Sequence, residues 1–281
     1  LLHFGAVDQC CTVWLNGEEL GRHIGGYLPF TFELTDRLSS DPFTLELCVT
    51  DPTDTGFLSR GKQRLKHAGI WYTPQSGIWQ TVWLEAVPQN YLHSLRITPQ
   101  PEKNTVHFRL DADDPAHAAI AVHKDGIIIV AGKSGTNGEA LLSIPAEQLR
   151  LWSPEDPFLY DVTITLAGGD TVESYFGMRS FGIGTDEKGL PRLLLNGKPY
   201  FQNGLLDQGY WSDGYYTAPC DDALIYDISE MKRLGFNMLR KHIKVEPLRW
   251  YYHCDRLGML VWQDMINGGG RYSPFSIYVF S

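Results

Sequence analysis

At 281 residues, with 24 Lys and Arg against 33 Asp and Glu, the chain carries a formal charge of −9 and is long enough for two or three domains. That balance argues against nucleic acid or an anionic membrane surface as partner, and no apolar run approaches the ~20 residues a membrane helix requires. Five cysteines, odd in number and without Cys-x-x-Cys or Cys/His ligand spacing, signal neither a disulfide framework nor a zinc site, and they favour reduced thiols in a cytoplasm.

Both ends read as cut from something longer. Leu1 to Gly5 begin inside a strand-like run with no initiator Met or signal peptide, so the missing leader carries no information on secretion. At the other end, Ile277-Tyr278-Val279-Phe280 is an apolar run with nothing after it to bury it. Residues 1–89 are all-β in character. Cys11-Thr12-Val13-Trp14-Leu15 leads into Asn16-Gly17, the strongest short hairpin signal. Further short runs at 27–34, 43–49 and 79–86 are separated by Asp, Pro and Gly turns, and residues 44–49 alternate as a half-buried strand does. This spacing predicts a β-sandwich. Residues 51–80 form a long segment with few regular signals and several basic residues: Arg60, Lys62, Arg64, Lys66 and His67. A solvated basic loop is the plainer reading, a functional loop the alternative.

Residues 90–182 make a second β block. Leu92-Leu95-Ile97, Val106-Phe108-Leu110 and residues 119–122, 127–130, 141–144 and 160–166 are its strand candidates, separated by Pro- or Gly-rich breaks. Six or seven strands in such a length predict an immunoglobulin-like sandwich. Trp152-Ser153-Pro154 reads as a packing corner.

From Phe176 the period changes. A hairpin around Asn196-Gly197 precedes a strand at 200–205. Asp221-Asp222 then open a helix carrying Leu224, Ile228, Met231 and Leu234, with Lys232-Arg233 at its end to complement the helix dipole and Gly235 to close it. An apolar run at 236–239 stops at Arg240-Lys241-His242. Pro247 suits the first turn of a second helix, in which Trp250, Cys254 and Leu257 share a face, and Gly258 ends it. A last run, Met259 to Trp262, ends in Gln263-Asp264. Strand, helix, strand, helix, strand implies parallel pairing, with polar side chains just past the carboxyl ends of the strands, where parallel α/β folds place their chemistry.

An ordered set of motifs resembles glycoside hydrolase family 2, the family of bacterial β-galactosidases, β-glucuronidases and β-mannosidases. It begins with Val13-Trp14-Leu15-Asn16-Gly17, Gly21-Arg22-His23 and Gly25-Gly26-Tyr27-Leu28-Pro29-Phe30, and continues with Ser76-Gly77-Ile78-Trp79-Gln80. Leu151-Trp152-Ser153-Pro154, Pro157-Phe158-Leu159-Tyr160 and Phe176-Gly177-Met178-Arg179 follow. Met231-Lys232 through Asn237, Arg240, Trp250-Tyr251 and Cys254-Asp255-Arg256-Leu257-Gly258 complete it.

The resemblance implies a jelly-roll domain over 1–89, an immunoglobulin-like β-sandwich over 90–182 and the first part of a (β/α)8 TIM barrel over 183–281, about three βα units. It also implies retaining hydrolysis of terminal β-linked sugars by two glutamates whose carboxyls stand ~5 Å apart. In the family these follow the fourth and seventh barrel strands, and so are expected beyond Ser281. Glu230 lies inside a helix and Glu246 at a helix start, so no catalytic residue is assigned within the chain, and the chain alone is expected to be inactive.

What the resemblance leaves is a supporting shell. Arg240 matches the family arginine that contacts the nucleophile carboxylate, with a surface arginine as the alternative. His242 is placed to contact a sugar hydroxyl, although the family histidine stands one place later, where this chain has Ile243. Asp264 can accept from sugar hydroxyls or serve as a helix cap or ion-pair partner. Asp207 can take a hydroxyl, Trp211 can face a pyranose ring or pack, and Trp262 reads as barrel interior. Gln208, Lys241 and Lys244 are unassigned. The Gln-Asp ending of the third strand is closer to the mannosidase branch. A carbohydrate substrate is the implied partner and a homo-oligomeric parent is allowed; no cofactor and no metal ligand set is assigned. The competing reading is a non-catalytic carbohydrate-binding or adhesive β-sandwich module, which has no use for a parallel βα run with polar strand ends.

Overall fold

The computed structural model describes residues 1–38 and 42–267, and the apolar run at 277–280 lies outside them. Two three-stranded antiparallel sheets and a two-stranded pair, Val7–Asp8 with Gly77–Ile78, build the first unit. One sets Leu2–Phe4 between Phe30–Phe32 and Val82–Leu84, the other Cys10–Leu15 between Glu18–Ile24 and Leu45–Thr50. Burial alternates along Cys10–Leu15, so Cys11, Val13 and Leu15 join Leu2, Phe4 and Leu34 in one core between the sheets. The hairpin turns on Asn16 and Gly17 at φ 51° and 82°, the left-handed pair that a two-residue turn needs.

In the second unit a three-stranded sheet (Glu139–Ser143, Thr105–Ala112, Leu92–Gln100) packs on a four-stranded one (Ile127–Lys133, Ala119–Lys124, Tyr160–Thr165, Thr171–Phe176). Val106, Phe108 and Leu110 meet Ile120, Val122, Val162 and Ile164 in its core. Thr171–Phe176 escapes an apolar scan because Thr171, Glu173 and Ser174 are polar; its pairing with Tyr160–Thr165 is what defines it.

A hairpin, Phe181–Thr185 with Pro191–Leu195, leads to the third unit. There strands β1 (Gly204–Asp207), β2 (Met238–Lys241) and β3 (Leu260–Gln263) form a parallel sheet in that order, connected by helices α1 (Asp221–Arg233) and α2 (Leu248–Leu257). β1 starts later than its apolar run suggests. The Tyr200 N–H is already spent on Leu193 O and the Asn203 N–H on Asn237 Oδ1, so residues 200–203 are the exit of the hairpin. Arg240 and Lys241 are the last residues of β2 rather than a charged stop beyond it. α2 is preceded by Pro247 and closed by Gly258 at φ 78°, whose N–H donates to Cys254 O.

Leu224 and Ile228 of α1, Trp250 and Cys254 of α2, and Leu239 and Val261 of the sheet share one cluster, so the helices cover the face on which Leu239 and Val261 lie. Side-chain alternation then puts Leu206, Arg240 and Trp262, which stand in register, on the opposite face. That face is open: Leu206 is 52% and Trp262 46% exposed. No helix among the described residues is long and apolar enough to cross a membrane.

Both sandwich units are bolted to this sheet. Trp152 is fully buried; its Nε1 donates to Asp255 O at 2.7 Å, Arg179 lies over its ring, and Arg179 pairs with Asp255 at 2.7 Å. The first unit reaches over through residues 51–76, which are not a solvated loop. Arg60 and Gln63 are buried, Tyr216 N–H donates to Gln75 Oε1 and Thr217 Oγ1 to Trp79 O, while Lys66 and His67 at the tip stay exposed. The segment has no periodicity to read because polar contacts far apart in sequence hold it.

Candidate functional site

The ladder of the parallel sheet runs one step past its strands. His242 N–H donates to Asp207 O at 2.8 Å and Asp264 N–H to Lys241 O at 3.0 Å, which places both side chains at the carboxyl rim. Arg240 reaches the same point from the open face. Its Nε donates to Asp264 Oδ1 at 3.0 Å and its Nη2 lies 3.0 Å from Oδ2, a bidentate pair, while His242 Nε2 stands 3.8 Å from Oδ2. The remaining guanidinium N–H groups of Arg240 have no acceptor among the described residues. Arg240, His242 and Asp264 therefore converge. Burial, and after it the charge of Lys62, holds the His242 imidazole below its usual pKa despite Asp264.

Asp207 does not join them. It lies in register with Lys241 on the helix side, where Lys241 Nζ sits 2.8 Å from Asp207 Oδ2 and 2.9 Å from Glu246 Oε1. Lys244 Nζ approaches the same Glu246 oxygen at 3.0 Å and donates to Gly209 O at 2.6 Å and Tyr216 O at 2.8 Å. Lys241, Lys244 and Glu246 are all buried, with the two ammonium groups lying over the rings of Trp250 and Tyr216. Burial pushes Lys244 down to about 8 against the pull of Glu246. For Lys241 burial pulls the same way, but Glu246 and Asp207 together keep it above its ordinary value. Gly209 makes this closeness possible: at φ 57°, a Cβ there would lie 2.0 Å from Glu246 Oε1. The knot fixes where the chain turns after β1.

Trp211 packs beside the α1–α2 cluster and lines a cleft of 530 Å³ with Tyr72, Gln208, Tyr210, Asp227 and Met231. The cleft lies along the outer edge of β1, and Arg240, His242 and Asp264 are not part of its wall. Burial, helped by the like charge of Asp207, raises the Asp227 carboxyl above its usual pKa. Tyr72 and Gln208 belong to both places, since the Tyr72 hydroxyl donates to Gln208 Oε1 and Gln208 Nε2 lies 3.2 Å from His242 Nδ1. Neither residue carries a motif. Gln208 is legible only as the neighbour of Asp207, and Tyr72 only as an aromatic in the irregular segment.

Neither glutamate near the sheet is available as a nucleophile: Glu230 pairs with Arg233 on the surface of α1, and Glu246 is enclosed by the two lysines. Among the described residues no group of three or more His, Cys, Asp or Glu side chains is placed to hold a metal ion.

Residues 90–179 match the family model "Glycosyl hydrolases family 2". A putative β-glucuronidase of Formosa agariphila is 26% identical over 279 residues, covering 94% of this chain and 32% of that protein. A β-galactosidase of Streptococcus thermophilus is 26% identical over 276 residues, covering 92% of this chain and 25% of that one. The chain thus spans a quarter to a third of the length of these relatives. Its fold is also that of a β-D-glucuronidase structure from Dictyoglomus thermophilum, with a TM-score of 0.80 at 19% identity over 98% of this chain and 49% of the other.

Proposed function

We propose that this chain is a member of glycosyl hydrolase family 2 and that it is the N-terminal and central part of a retaining exo-β-glycosidase that hydrolyses terminal β-linked sugars. Residues 1–89 are its jelly-roll unit, 90–182 its immunoglobulin-like sandwich and 183–281 the start of its (β/α)8 barrel. In this reading β1 to β3 are the first three barrel strands, the face carrying Leu206, Arg240 and Trp262 is the barrel interior, and both reacting glutamates belong to sequence after Ser281. The observation that carries the proposal is the convergence of Arg240, His242 and Asp264 at the carboxyl rim of parallel strands.

Each group then has a task that its geometry suits. The N–H groups of Arg240 not spent on Asp264 hold the incoming nucleophile carboxylate in its charged form, while Asp264 keeps the guanidinium plane fixed and accepts from a sugar hydroxyl. His242 contacts a second hydroxyl. Asp207, spent on buried Lys241, and Trp211, packed under α1, support the rim rather than touch sugar. In the full-length protein, Arg240→Ala is expected to lower kcat for an aryl β-glycoside by roughly 10²-fold or more, with KM little changed, because the contact is to the reacting carboxylate. Steady-state kinetics of variant and parent decide it: an effect confined to KM would reduce Arg240 to a sugar ligand and remove this assignment.

A further inference from the structure

The segment from the first unit that crosses to the parallel sheet ends at a hydroxyl, and that hydroxyl is aimed. Gln63 is buried, its Nε2 donating to Asp8 Oδ2 at 2.8 Å and its Oε1 accepting from Gln75 N–H at 2.7 Å. Between these pins Tyr72 N–H donates to Lys62 O, and the Tyr72 ring stacks on Tyr210 with centroids 4.2 Å apart. So held, the Tyr72 hydroxyl donates to Gln208 Oε1. A carboxamide with its oxygen so engaged must turn its NH2 the other way, toward His242 Nδ1 at 3.2 Å. An Nδ1 that accepts carries no proton, and the proton of a neutral ring then sits on Nε2, the nitrogen facing Asp264.

We propose that Tyr72 is a positioning residue of the rim: through Gln208 it holds His242 as the neutral Nε2–H tautomer, so that the ring presents an N–H donor beside Asp264. The consequence for sugar rests on the function proposed above. The hydroxyl at His242 accepts from Nε2–H beside the one that donates to Asp264, and no second cation is added beside Arg240. The charged groups acting on the ring are Lys62 from the crossing segment, Arg240 on β2 and Asp264 after β3, with the Tyr72 hydroxyl behind Gln208. Lys62 and Arg240 both oppose protonation of the ring and Asp264 favours it.

The test is long-range ¹H–¹⁵N NMR of the histidine rings in the unliganded 281-residue chain, with His242 assigned from a His242→Asn variant. The parent is expected to show a protonated Nε2 and a bare Nδ1, titrating below the free-histidine midpoint of about 6.5. Tyr72→Phe removes only the hydroxyl; it frees the Gln208 amide to rotate, and the two nitrogen resonances of His242 should move toward each other. Gln208→Glu puts an acceptor opposite Nδ1, which should reverse the tautomer and lift the midpoint above that of the parent. A parent ring protonated on Nδ1, or His242 nitrogens that do not move in Tyr72→Phe, would overturn the proposal. No sugar or turnover enters the measurement, so failure of the glycosidase reading would leave these spectra as they are.

Discussion

Replacing Asp8 by Asn should make the first unit lose its dependence on pH between 4 and 7. Asp8 is 1% exposed, and its carboxylate has Gln63 Nε2 as a donor at 2.8 Å. Burial raises its pKa to about 7; the Gln63 hydrogen bond works against that rise and the charge of Asp51 adds to it. The folded value therefore stands above the unfolded 3.8, so the folded state holds the proton more tightly. Stability from this group is complete below pH 4, drains away as pH rises through 7 and is constant above. At about 1.36 kcal/mol per pH unit, a displacement from 3.8 to about 7 amounts to roughly 4 kcal/mol, of which roughly 2.5 falls between pH 5 and 8. The amide of Asn does not titrate, and whatever its fixed cost, that cost is the same at both pH values. The measurement is urea unfolding at pH 5 and pH 8 with a deuterium pulse, counting folded and unfolded masses of the peptide containing Cys10–Leu15. The advantage of Asp8→Asn over the parent should grow by roughly 2.5 kcal/mol from pH 5 to pH 8. A difference that stays constant with pH would refute an Asp8 carboxyl held protonated by burial.

Two further substitutions probe the buried ties that hold the turn after β1 and the corner between the second and third units. Lys244→Met keeps the length but leaves Gly209 O and Tyr216 O without their ammonium donor, and should cost about 3 kcal/mol at pH 7 in urea unfolding, with faster hydrogen exchange over 208–217. Because burial sets Lys244 near 8, below its ordinary 10.5, the parent gains stability as pH rises between those values, so the deficit of the variant should widen at pH 10. An equal deficit at both pH values would contradict a strongly desolvated ammonium. Trp152→Ala removes one of the two largest fully buried side chains among the described residues and its bond to Asp255 O, and should cost about 3–5 kcal/mol in urea unfolding; a loss under 1 kcal/mol would mean that the corner does not carry the contact between second and third units.

What could be read from sequence was local or repeated along one element. The Asn16-Gly17 turn, the charged ends of α1 and the Gly258 stop of α2 are each decided within a few residues, and the structure has them in place. Arg240, His242 and Asp264 were legible because parallel strands bring their carboxyl ends together whatever the fine register. Asp207 shows where that logic stops. It ends a strand too, but alternation along β1 puts it on the face shared with Leu205, toward the helices, where Lys241 takes it. Only the register Leu205, Leu239, Val261 says which polar end faces which side. The segment 51–76 was illegible for a different reason. Its structure rests on pairs such as Gln63 with Asp8 and Tyr72 with Gln208, 55 and 136 residues apart, and no local pattern encodes those.

These long-range pairs also answer how an open parallel sheet keeps its rim in order. Three strands with Leu206 and Trp262 uncovered have little core on one face, and the helices supply cohesion only on the other. The rim is held instead from its ends. The second unit grips the C-terminal end of α2 through Asp255 and the end of α1 through Lys232, which donates to Pro154 O at 2.6 Å. The first unit grips the turn after β1 through Gln75, Trp79 and the Tyr27–Tyr216 hydroxyl pair. Lys244 ties that same turn down from the sheet side. The orientation of His242 thus depends on residues in two units that share no strand. Loosening the first unit should disturb the rim before it unfolds the sheet, because Tyr72 reaches Gln208 only while Gln63 and Gln75 hold the crossing segment in place.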